Sequence, residues 1–311
     1  MAAARRGNAD PPPLAATRPG AMMICRRILL VLALLLPLPA GAAVLKVATW
    51  NLEWLTLRPP GDPALPPDAK PRTAADFARL RAYAEVLDAD VIAMEEVDGP
   101  AAAAKVLPPD RYALHFTQDH VVQRVGIAIR RGISFTANPD VRALDPYPPD
   151  APLQLRSGAD VTLHLGGDNL RILAVHLKTG CWDVPISERK RACAVLREQL
   201  PVLESWIAAR VREGTPFLVL GDFNRVLHAH GAFLAGLEQV APLAVATAGY
   251  RNPCWGGRFS TFIDQILAGG AAREWMEPGS FRVLVYRETA PVWRERLSDH
   301  CPVMVDLKIP G

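Results

Sequence analysis

Short apolar runs rich in β-branched residues recur along the chain, and polar segments separate them. This pattern is typical of buried β-strands. It predicts nine strands, at residues 45–50, 91–94, 125–129, 161–165, 170–175, 217–220, 262–267, 281–285 and 303–309. Apolar residues at helical spacing predict two long helices, 74–87 and 187–213, and Pro201 predicts a kink or a break in the second. Ser187 and Gly214 are suited to begin and to end that helix.

Two proline-rich segments, residues 58–72 and 145–152, interrupt this alternation. They are too polar and too rich in proline to join a sheet, so they are predicted to be loops. The strand and helix pattern continues on both sides of each loop, which argues against a linker between domains. The chain is therefore predicted to fold as one layered α/β domain.

The first 42 residues have a different character. Arg26 and Arg27 precede nine uninterrupted apolar residues, which prolines and small residues then follow. This is the pattern of a secretory signal peptide, and the apolar run is too short for a membrane span. Because Met22 and Met23 come directly before it, residues 1–21 are a candidate for a misplaced start. The mature domain is expected to cover residues 43–311, in the periplasm or secreted, with no membrane anchor after processing.

The composition, with 50% hydrophobic and 22% charged residues, excludes fibrous and wholly disordered classes. The formal net charge of the whole chain is +3 at pH 7. Five arginines and one aspartate lie in the first 42 residues, so the mature chain is close to neutral. A near-neutral chain is not expected to bind polyanions strongly without regard to sequence, although local basic patches remain open.

Four cysteines remain in the mature chain, Cys181, Cys193, Cys254 and Cys301. An even number in an exported protein predicts two disulfides. Three pairings are open, and Cys181 with Cys193 and Cys254 with Cys301 are favoured because the first pair closes a short loop. Four buried thiols are the alternative. The sequence has no Cys-x-x-Cys pair, so a zinc site is not expected.

Polar side chains follow or precede the predicted strands in six short motifs. One alone would be a common turn cap. Together they offer carboxylates suited to a hard divalent cation, two histidines and two amides, which fits metal-assisted attack on a phosphate ester. The motifs are Asn51-Leu52-Glu53, Glu95-Glu96-Val97, His176-Leu177-Lys178, Gly221-Asp222-Phe223-Asn224, Asp264-Gln265-Ile266 and Ser298-Asp299-His300.

In this order, the motifs resemble those of the endonuclease/exonuclease/phosphatase superfamily, which includes pancreatic-type deoxyribonuclease, abasic-site endonucleases, bacterial sphingomyelinases and inositol polyphosphate 5-phosphatases. The resemblance spans nearly all of residues 45–309. It implies an α/β fold, a four-layer αββα sandwich with two packed mixed β-sheets. It also implies a phosphoric ester hydrolase that depends on Mg²⁺ or Mn²⁺.

The resemblance also assigns the metal ligands. Asn51 and Glu96 match the residues that hold the divalent metal, and Asp299 matches a further direct or water-mediated ligand. Because side chains alternate along a strand, Glu95 and Glu96 are expected on opposite faces, so that only one can face the metal. The family pattern selects Glu96.

Five further residues match catalytic positions. His300 resembles the general base or proton shuttle, and Asp264 the partner that fixes its tautomer. Asp222 and Asn224 are expected to align the water and the phosphate oxygens. His176 is expected to donate to a phosphate oxygen or to the leaving group.

One position departs from the deoxyribonuclease branch, where a glutamate pairs with the histidine that matches His176. Alignment here offers Gln123, a neutral amide that raises proton affinity less. Phosphate binding is therefore favoured for His176 over a full acid role. Four cations are candidate phosphate contacts, Arg124, Lys178, Arg225 and Arg258.

The substrate stays open. A phosphodiesterase that acts on nucleic acid is narrowly favoured over a phosphomonoesterase that acts on a sugar, inositol or lipid-headgroup phosphate. A non-catalytic secreted binding protein on the same scaffold is disfavoured because every motif residue is present. Tryptophans are scattered rather than paired on one turn, which disfavours a sphingomyelinase. The protein is expected to be a monomer.

Overall fold

In a computed structural model, which describes residues 43–67 and 69–310, two six-stranded β-sheets pack face to face with helices outside. The predicted signal peptide lies outside the described residues. The strands are β1 (Ala43–Leu55), β2 (Val91–Val97), β3 (Tyr112–Phe116), β4 (Arg124–Arg130), β5 (Ser134–Ala137), β6 (Ala159–Leu165), β7 (Asp168–His176), β8 (Phe217–Asp222), β9 (Leu243–Val245), β10 (Asp264–Gly269), β11 (Arg282–Val283) and β12 (Val303–Ile309). The helices are α1 (Ala74–Leu87), α2 (Pro100–Val106), α3 (Arg191–Glu213), α4 (Ala232–Val240), and the short α5 (Cys254–Gly257), α6 (Ala272–Trp275) and α7 (Val292–Arg296), with a 3₁₀ turn at Arg142–Leu144.

Both sheets are mixed. The first sheet has the order β11-β12-β1-β2-β4-β3 and the second has the order β5-β6-β7-β8-β10-β9. The pairs β1–β2 and β7–β8 are parallel, and the other pairs are antiparallel. The first sheet joins both ends of the domain, since Ala43 in β1 pairs with Ile309 in β12. The predicted αββα sandwich with two packed mixed sheets is confirmed.

The period-2 alternation of strand side chains creates three layers of core. In β2, Val91 and Ala93 point between the sheets, whereas Ile92 and Met94 point outward to α1 and α2. A third cluster fills the space between the second sheet and helices α3 and α4. The central strands are therefore buried on both faces, which explains their nearly continuous apolar sequences.

Helix α3 corrects two expectations. It begins at Arg191 with Lys190 as the N-cap residue, not at Ser187, and it continues through Pro201 without a break. Pro201 is exposed, and buried residues on both sides of it pack against the second sheet, so tertiary packing outweighs the missing N–H. Gly214 ends the helix as predicted, in the left-handed conformation with φ 65°.

The strand predictions were accurate in the sheet centres and weak at the edges. The strand predicted at 281–285 is only two residues long as β11, and the one predicted at 262–267 starts at Asp264. Strands β3, β5 and β9 were missed, as were helices α2 and α4. The missed strands are short and lie at sheet edges, where a strand needs less apolar sequence. Residues 58–67, 69–72 and 145–152 lie outside both sheets, as expected.

Two disulfides tie loops to the sandwich, with the favoured pairing. Cys181–Cys193 joins the segment after β7 to α3, and Cys254–Cys301 joins α5 to the segment before β12. Among the described helices, none is both long and apolar enough to cross a membrane.

Candidate active site

The six motifs converge at one edge of the sandwich. The carboxyl ends of the parallel strands β1 and β2 meet there from the first sheet, and those of β7 and β8 meet there from the second. His176 lies opposite Asp222 in the β7–β8 register, and Asp264 lies opposite Asp222 in the β8–β10 register. The Asn51 amide donates to Asp222 Oδ2 at 3.1 Å, so that one hydrogen bond joins the two sheets in the middle of the site.

His300 and Asp264 form a tight pair. His300 Nδ1 lies 2.9 Å and 3.0 Å from the two Asp264 oxygens, and Nε2 lies 3.9 Å from Asp222 Oδ2. Burial alone would lower the pKa of His300, but the carboxylates of Asp264 and Asp222 outweigh it and raise that pKa well above its usual value. Burial, followed by the Asp264 charge, raises the pKa of Asp222 to about 7. Both groups therefore hold a proton more strongly than they would in water.

The segment from Gly221 to Asn224 has a single conformation available to it. A Cβ at Gly221 would lie 2.0 Å from the Val175 carbonyl oxygen, and φ is 138°, so only glycine fits between β7 and β8. Asp222 Oδ1 accepts from the Asn224 backbone N–H at 2.7 Å, and Asn224 Nδ2 donates to Asp222 Oδ2 at 3.1 Å. The two predicted alignment residues are thus held as one rigid unit.

Three carboxylates gather on the other side of Asn51. Glu96 Oε1 accepts from Asn51 Nδ2 at 3.2 Å, and Glu53 Oε2 accepts from the Asp299 backbone N–H at 3.0 Å. Burial, followed by the Asp299 charge, raises the pKa of Glu53 to about 8. The sequence interpretation assigned Asn51, Glu96 and Asp299 but missed Glu53. Its signal was its place two residues after Asn51 in the same motif.

The alternation argument for Glu95 and Glu96 needs correction. Glu95 continues the inward face of Ala93, where it accepts from Thr49 Oγ1 and is fully buried. Glu96 would have pointed outward, but its φ of 60° and a register shift after Met94 turn it into the site. Burial and the nearby Asp264 and Asp222 charges raise the pKa of Glu95 well above its usual value. A β-bulge, not simple alternation, brings Glu96 to the site.

The donor set fits a hard divalent cation. Glu53, Glu96 and Asp299 offer carboxylate oxygens. Asn51 offers an amide oxygen, which accepts from the Glu53 backbone N–H at 2.9 Å while its NH₂ group faces Glu96 and Asp222. The chain accepts left-handed conformations at Glu53 (φ 43°), Trp54 (φ 54°) and Glu96 (φ 60°) to hold these groups there, at about 1 kcal/mol or more each. Among the described residues, Asp222, Asp264 and His300 form the one group of carboxylates and histidines whose ligand atoms all lie within 4.8 Å of one another, and Glu53, Glu96 and Asp299 do not all approach that closely. The group with His300 is less suited to a cation, because His300 Nδ1 contacts both Asp264 oxygens.

His176 has a different environment. It is buried, with Nε2 3.3 Å from Arg156 Nη2 and 3.5 Å from Asp222 Oδ2. Burial, and then the charge of Arg156, lowers the pKa of His176 well below its usual value. Contrary to the expectation from sequence, Gln123 does not contact the ring. Its amide oxygen accepts from Arg156 Nη2 at 2.9 Å, so Arg156 stands between the two residues.

Arg156 is the second residue that the sequence interpretation missed. It lies in an irregular segment before β6, where neither periodicity nor a motif marks it. Burial lowers its pKa, and the carboxylates of Glu96 and Asp222 act against that effect. A buried guanidinium beside Asp222, a predicted alignment residue, and Glu96, a predicted metal ligand, is suited to bind an oxyanion.

The four predicted phosphate contacts lie in different surroundings. Lys178 follows His176, and burial together with Arg156 lowers its pKa. Arg225 is a correction, because its buried Nη1 donates to the carbonyls of Cys181 and Val184, both at 2.6 Å. It therefore supports the loop after β7 instead of facing a phosphate. Arg124 packs over Gly99 beside the end of β2, and Arg258 lies over the exposed Phe259 ring.

Comparisons with known proteins identify the family and the fold. The sequence model of the Endonuclease/Exonuclease/phosphatase family matches residues 48–300. None of the curated proteins matches the sequence significantly.

Solved structures resemble the fold at low sequence identity. TDP2 from D. rerio, complexed with single-strand DNA product, is 17% identical with a TM-score of 0.57, covering 85% of this chain and 98% of that chain. The 3′ phosphatase NExo from Neisseria, bound to a product DNA hairpin, is 16% identical with a TM-score of 0.52, covering 85% and 99%. A family protein from Bacteroides thetaiotaomicron is 16% identical with a TM-score of 0.53, covering 86% and 98%.

Proposed function

Because the chain belongs to the Endonuclease/Exonuclease/phosphatase family, we propose that it is an exported phosphodiesterase of the nuclease type that depends on Mg²⁺ or Mn²⁺. One observation carries the proposal. A buried arginine, a histidine–aspartate pair and a cluster of carboxylates surround the same Asn51–Asp222 contact. These are the groups that an oxyanion, a proton transfer and a divalent cation each require.

Phosphate recognition falls to Arg156 and His176, with Lys178 behind them. Within the part of the chain described here, Arg156 donates to the neutral amide of Gln123, and no ion pair of 4.0 Å or less neutralises its charge. A buried cation that lacks a paired carboxylate favours an anionic ligand. The neutral ring of His176, next to the guanidinium, offers a further hydrogen bond to a phosphate oxygen.

Asn51, Glu53, Glu96 and Asp299 would hold the metal. When bound, Mg²⁺ polarises a phosphate oxygen and neutralises charge that develops during displacement. The raised pKa of Glu53 supports this assignment, because carboxylates that crowd together hold protons until a cation replaces them.

The proton chemistry falls to Asp222 and His300. With its pKa of about 7, Asp222 is suited to accept the proton of a water that Asn224 helps to orient. His300 carries its own proton at neutral pH, held by Asp264, and its positive charge stabilises Asp222 and the phosphate oxygens. This refines the role expected for His300, since the resting imidazolium cannot itself take a proton.

A phosphomonoesterase is the alternative, because one structural neighbour is a 3′ phosphatase. A panel assay separates the two. The purified exported protein is tested with Mg²⁺ on plasmid DNA, RNA, a bis-aryl phosphodiester, an aryl monoester and inositol phosphates. We expect diester hydrolysis that EDTA abolishes and Mg²⁺ restores.

The matched control is His300→Ala, purified in the same way, which excludes a contaminating phosphatase. Activity that resists chelation would contradict the metal requirement, and hydrolysis restricted to monoesters would select the alternative. N-terminal sequencing of the exported protein tests the cleavage expected near Ala43. An unprocessed N-terminus would contradict export.

A further inference from the structure

Trp182 stands at the rim of the site. It follows the buried Cys181 in the loop after β7, yet 53% of it is exposed. Its indole Nε1–H is shared between Asn224 Oδ1 and Thr179 Oγ1, each at 3.2 Å. Its carbonyl accepts from the Val226 N–H at 2.8 Å. An exposed aromatic residue therefore contacts one of the residues that align the water.

That contact is one of three that orient the Asn224 amide. Asn224 Nδ2 donates to Asp222 Oδ2 at 3.1 Å and to the Leu177 carbonyl at 3.2 Å. Its Oδ1 accepts from the indole N–H. An amide turned by 180° would set its NH₂ group against that N–H and its oxygen against two acceptors. Trp182 thus adds support to the orientation that holds the amide against the oxygen of Asp222 nearest His300.

The loop that carries Trp182 is firmly supported. The Cys181–Cys193 disulfide ties it to α3, and Arg225 donates to the carbonyls on both sides of Trp182, those of Cys181 and Val184. The indole ring is therefore held in place while about half of the residue stays open to solvent. A rigid, exposed aromatic face costs little entropy when it binds a planar group.

We propose that Trp182 is a positioning residue for Asn224 and that its exposed face stacks with a planar aromatic group attached to the phosphate, such as a nucleobase. The inference rests on the proposed function and specifies its substrate class. Stacking on an aromatic side chain tolerates any base, which suits an enzyme that reads the phosphate and not the sequence.

Two diesters with the same leaving group test both roles, bis(4-nitrophenyl) phosphate and methyl 4-nitrophenyl phosphate. They differ only in whether the retained group is aromatic. The variants are Trp182→Phe, which keeps a ring but loses the N–H, and Trp182→Ala and Trp182→Leu, which lose both. The control is Thr179→Val, which keeps the bond to Asn224. Thermal unfolding checks that each variant folds.

We expect Trp182→Phe to lower kcat about fivefold to tenfold on both diesters with little change in KM, as for the loss of one hydrogen bond. Trp182→Ala and Trp182→Leu should in addition raise KM about fivefold or more on the bis-aryl diester alone. Thr179→Val should stay within about twofold of the wild type.

Three results would overturn the proposal. An unchanged kcat in Trp182→Phe would refute positioning, and an equal KM increase on both diesters would refute stacking. A loss in Thr179→Val as large as in Trp182→Phe would assign the effect to the loop as a whole. A wild-type protein that hydrolyses no phosphate ester would instead refute the proposed function, so the two failures can be told apart.

Discussion

His176, buried at the end of β7, and His300, partly buried in the segment before β12, lie in the same site, yet their pKa values shift in opposite directions. His300 meets Asp264 on one side and Asp222 on the other, and its pKa is raised. His176 meets Arg156, and its pKa is lowered. Burial lowers both pKa values, and the charges beside each ring, Arg156 at His176 and two carboxylates at His300, then account for the opposite net shifts.

The two rings also differ in the groups that their nitrogens face. His176 Nε2 lies 3.3 Å from Arg156 Nη2, which can only donate, and 3.5 Å from Asp222 Oδ2, which can accept. Among the described residues, His176 Nδ1 has no hydrogen-bond partner. In His300 it is Nδ1 that is fixed, by donating to Asp264. One ring is a charged proton carrier and the other is a neutral contact.

The largest expected effect comes from substitutions of His300 and its neighbour Asp222. His300→Ala and Asp222→Asn should each lower kcat by about 10²-fold or more, as for the loss of positioned proton transfer. Steady-state kinetics measures the effect, and circular dichroism shows whether the fold is intact. A folded His300→Ala protein with nearly normal kcat would break the comparison, because His176 would then be the working proton carrier.

Asp264→Asn should lower kcat by about a hundredfold, because an amide neither fixes nor charges the His300 ring as a carboxylate does. The effect should act through His300. On a His300→Ala background, the same substitution should therefore change kcat less than about twofold. A multiplicative loss in the double variant would mean that Asp264 serves a separate purpose.

Arg156→Gln tests the other histidine of the comparison, His176. Loss of one charge-assisted contact to phosphate should lower kcat/KM about tenfold to a hundredfold, and the pKa of His176 should rise toward its ordinary value. Imidazole proton NMR across pH measures that pKa directly. Arg210→Gln is the matched control, a buried arginine on α3 that pairs with Glu213 outside the site. Equal kinetic losses in both variants would assign the Arg156 effect to destabilisation.

Substitutions of the two neighbouring glutamates distinguish a weakened metal site from a loss of proton transfer. Glu96→Gln removes one charge while keeping the shape, and it should raise the Mg²⁺ concentration for half-maximal activity about tenfold. Glu95→Gln, which lies deeper and contacts Thr49, should have the smaller effect. The measurement is a Mg²⁺ titration of activity for each variant. A larger effect of Glu95→Gln would reverse the assignment of the metal ligand.

The smallest effect is on the stability of the metal-free protein between pH 6.5 and 8. Glu53, Asp222 and His300 all have raised pKa values, so the folded chain keeps protons that the unfolded chain has released. Stability is therefore expected to fall as pH rises across this window, whereas His176, whose pKa is lowered, acts weakly in the opposite direction near pH 6.5. Differential scanning calorimetry in EDTA should show Tm lower by a few degrees at pH 8, and Mg²⁺ should restore most of the loss. A Tm that rises with pH would contradict the raised pKa values.

Much of the site followed from sequence because its residues sit at strand ends. The apolar runs located the central strands, and parallel strands necessarily bring their carboxyl ends to one edge. Asn51 and Asp222 therefore meet where the motifs indicated, and Asp264 joins them from the start of the antiparallel strand β10. The fold and the order of the motifs could be predicted without knowledge of side-chain packing.

The remaining features depended on contacts between distant segments. Glu53 and Glu96 reach the site through left-handed residues that strand alternation does not foresee. Arg156 comes from a segment without periodicity, and Arg225 is taken up by a loop that folds back over it. In each case the decisive partner lies tens of residues away, and no local pattern encodes that distance.

The pairing of β1 with β12 has a consequence for the order in which the chain can fold. The strand that carries Asn51 lies at the centre of the first sheet, and one of its two neighbours, β12, comes last in chain order among the described strands. Until residues 303–309 are available, β1 has an open edge, and loop closure across almost the entire domain must precede that pairing. Completion of this sheet is therefore expected late in folding. Such a delay suits the proposed export, in which a chain passes unfolded through a narrow translocation channel.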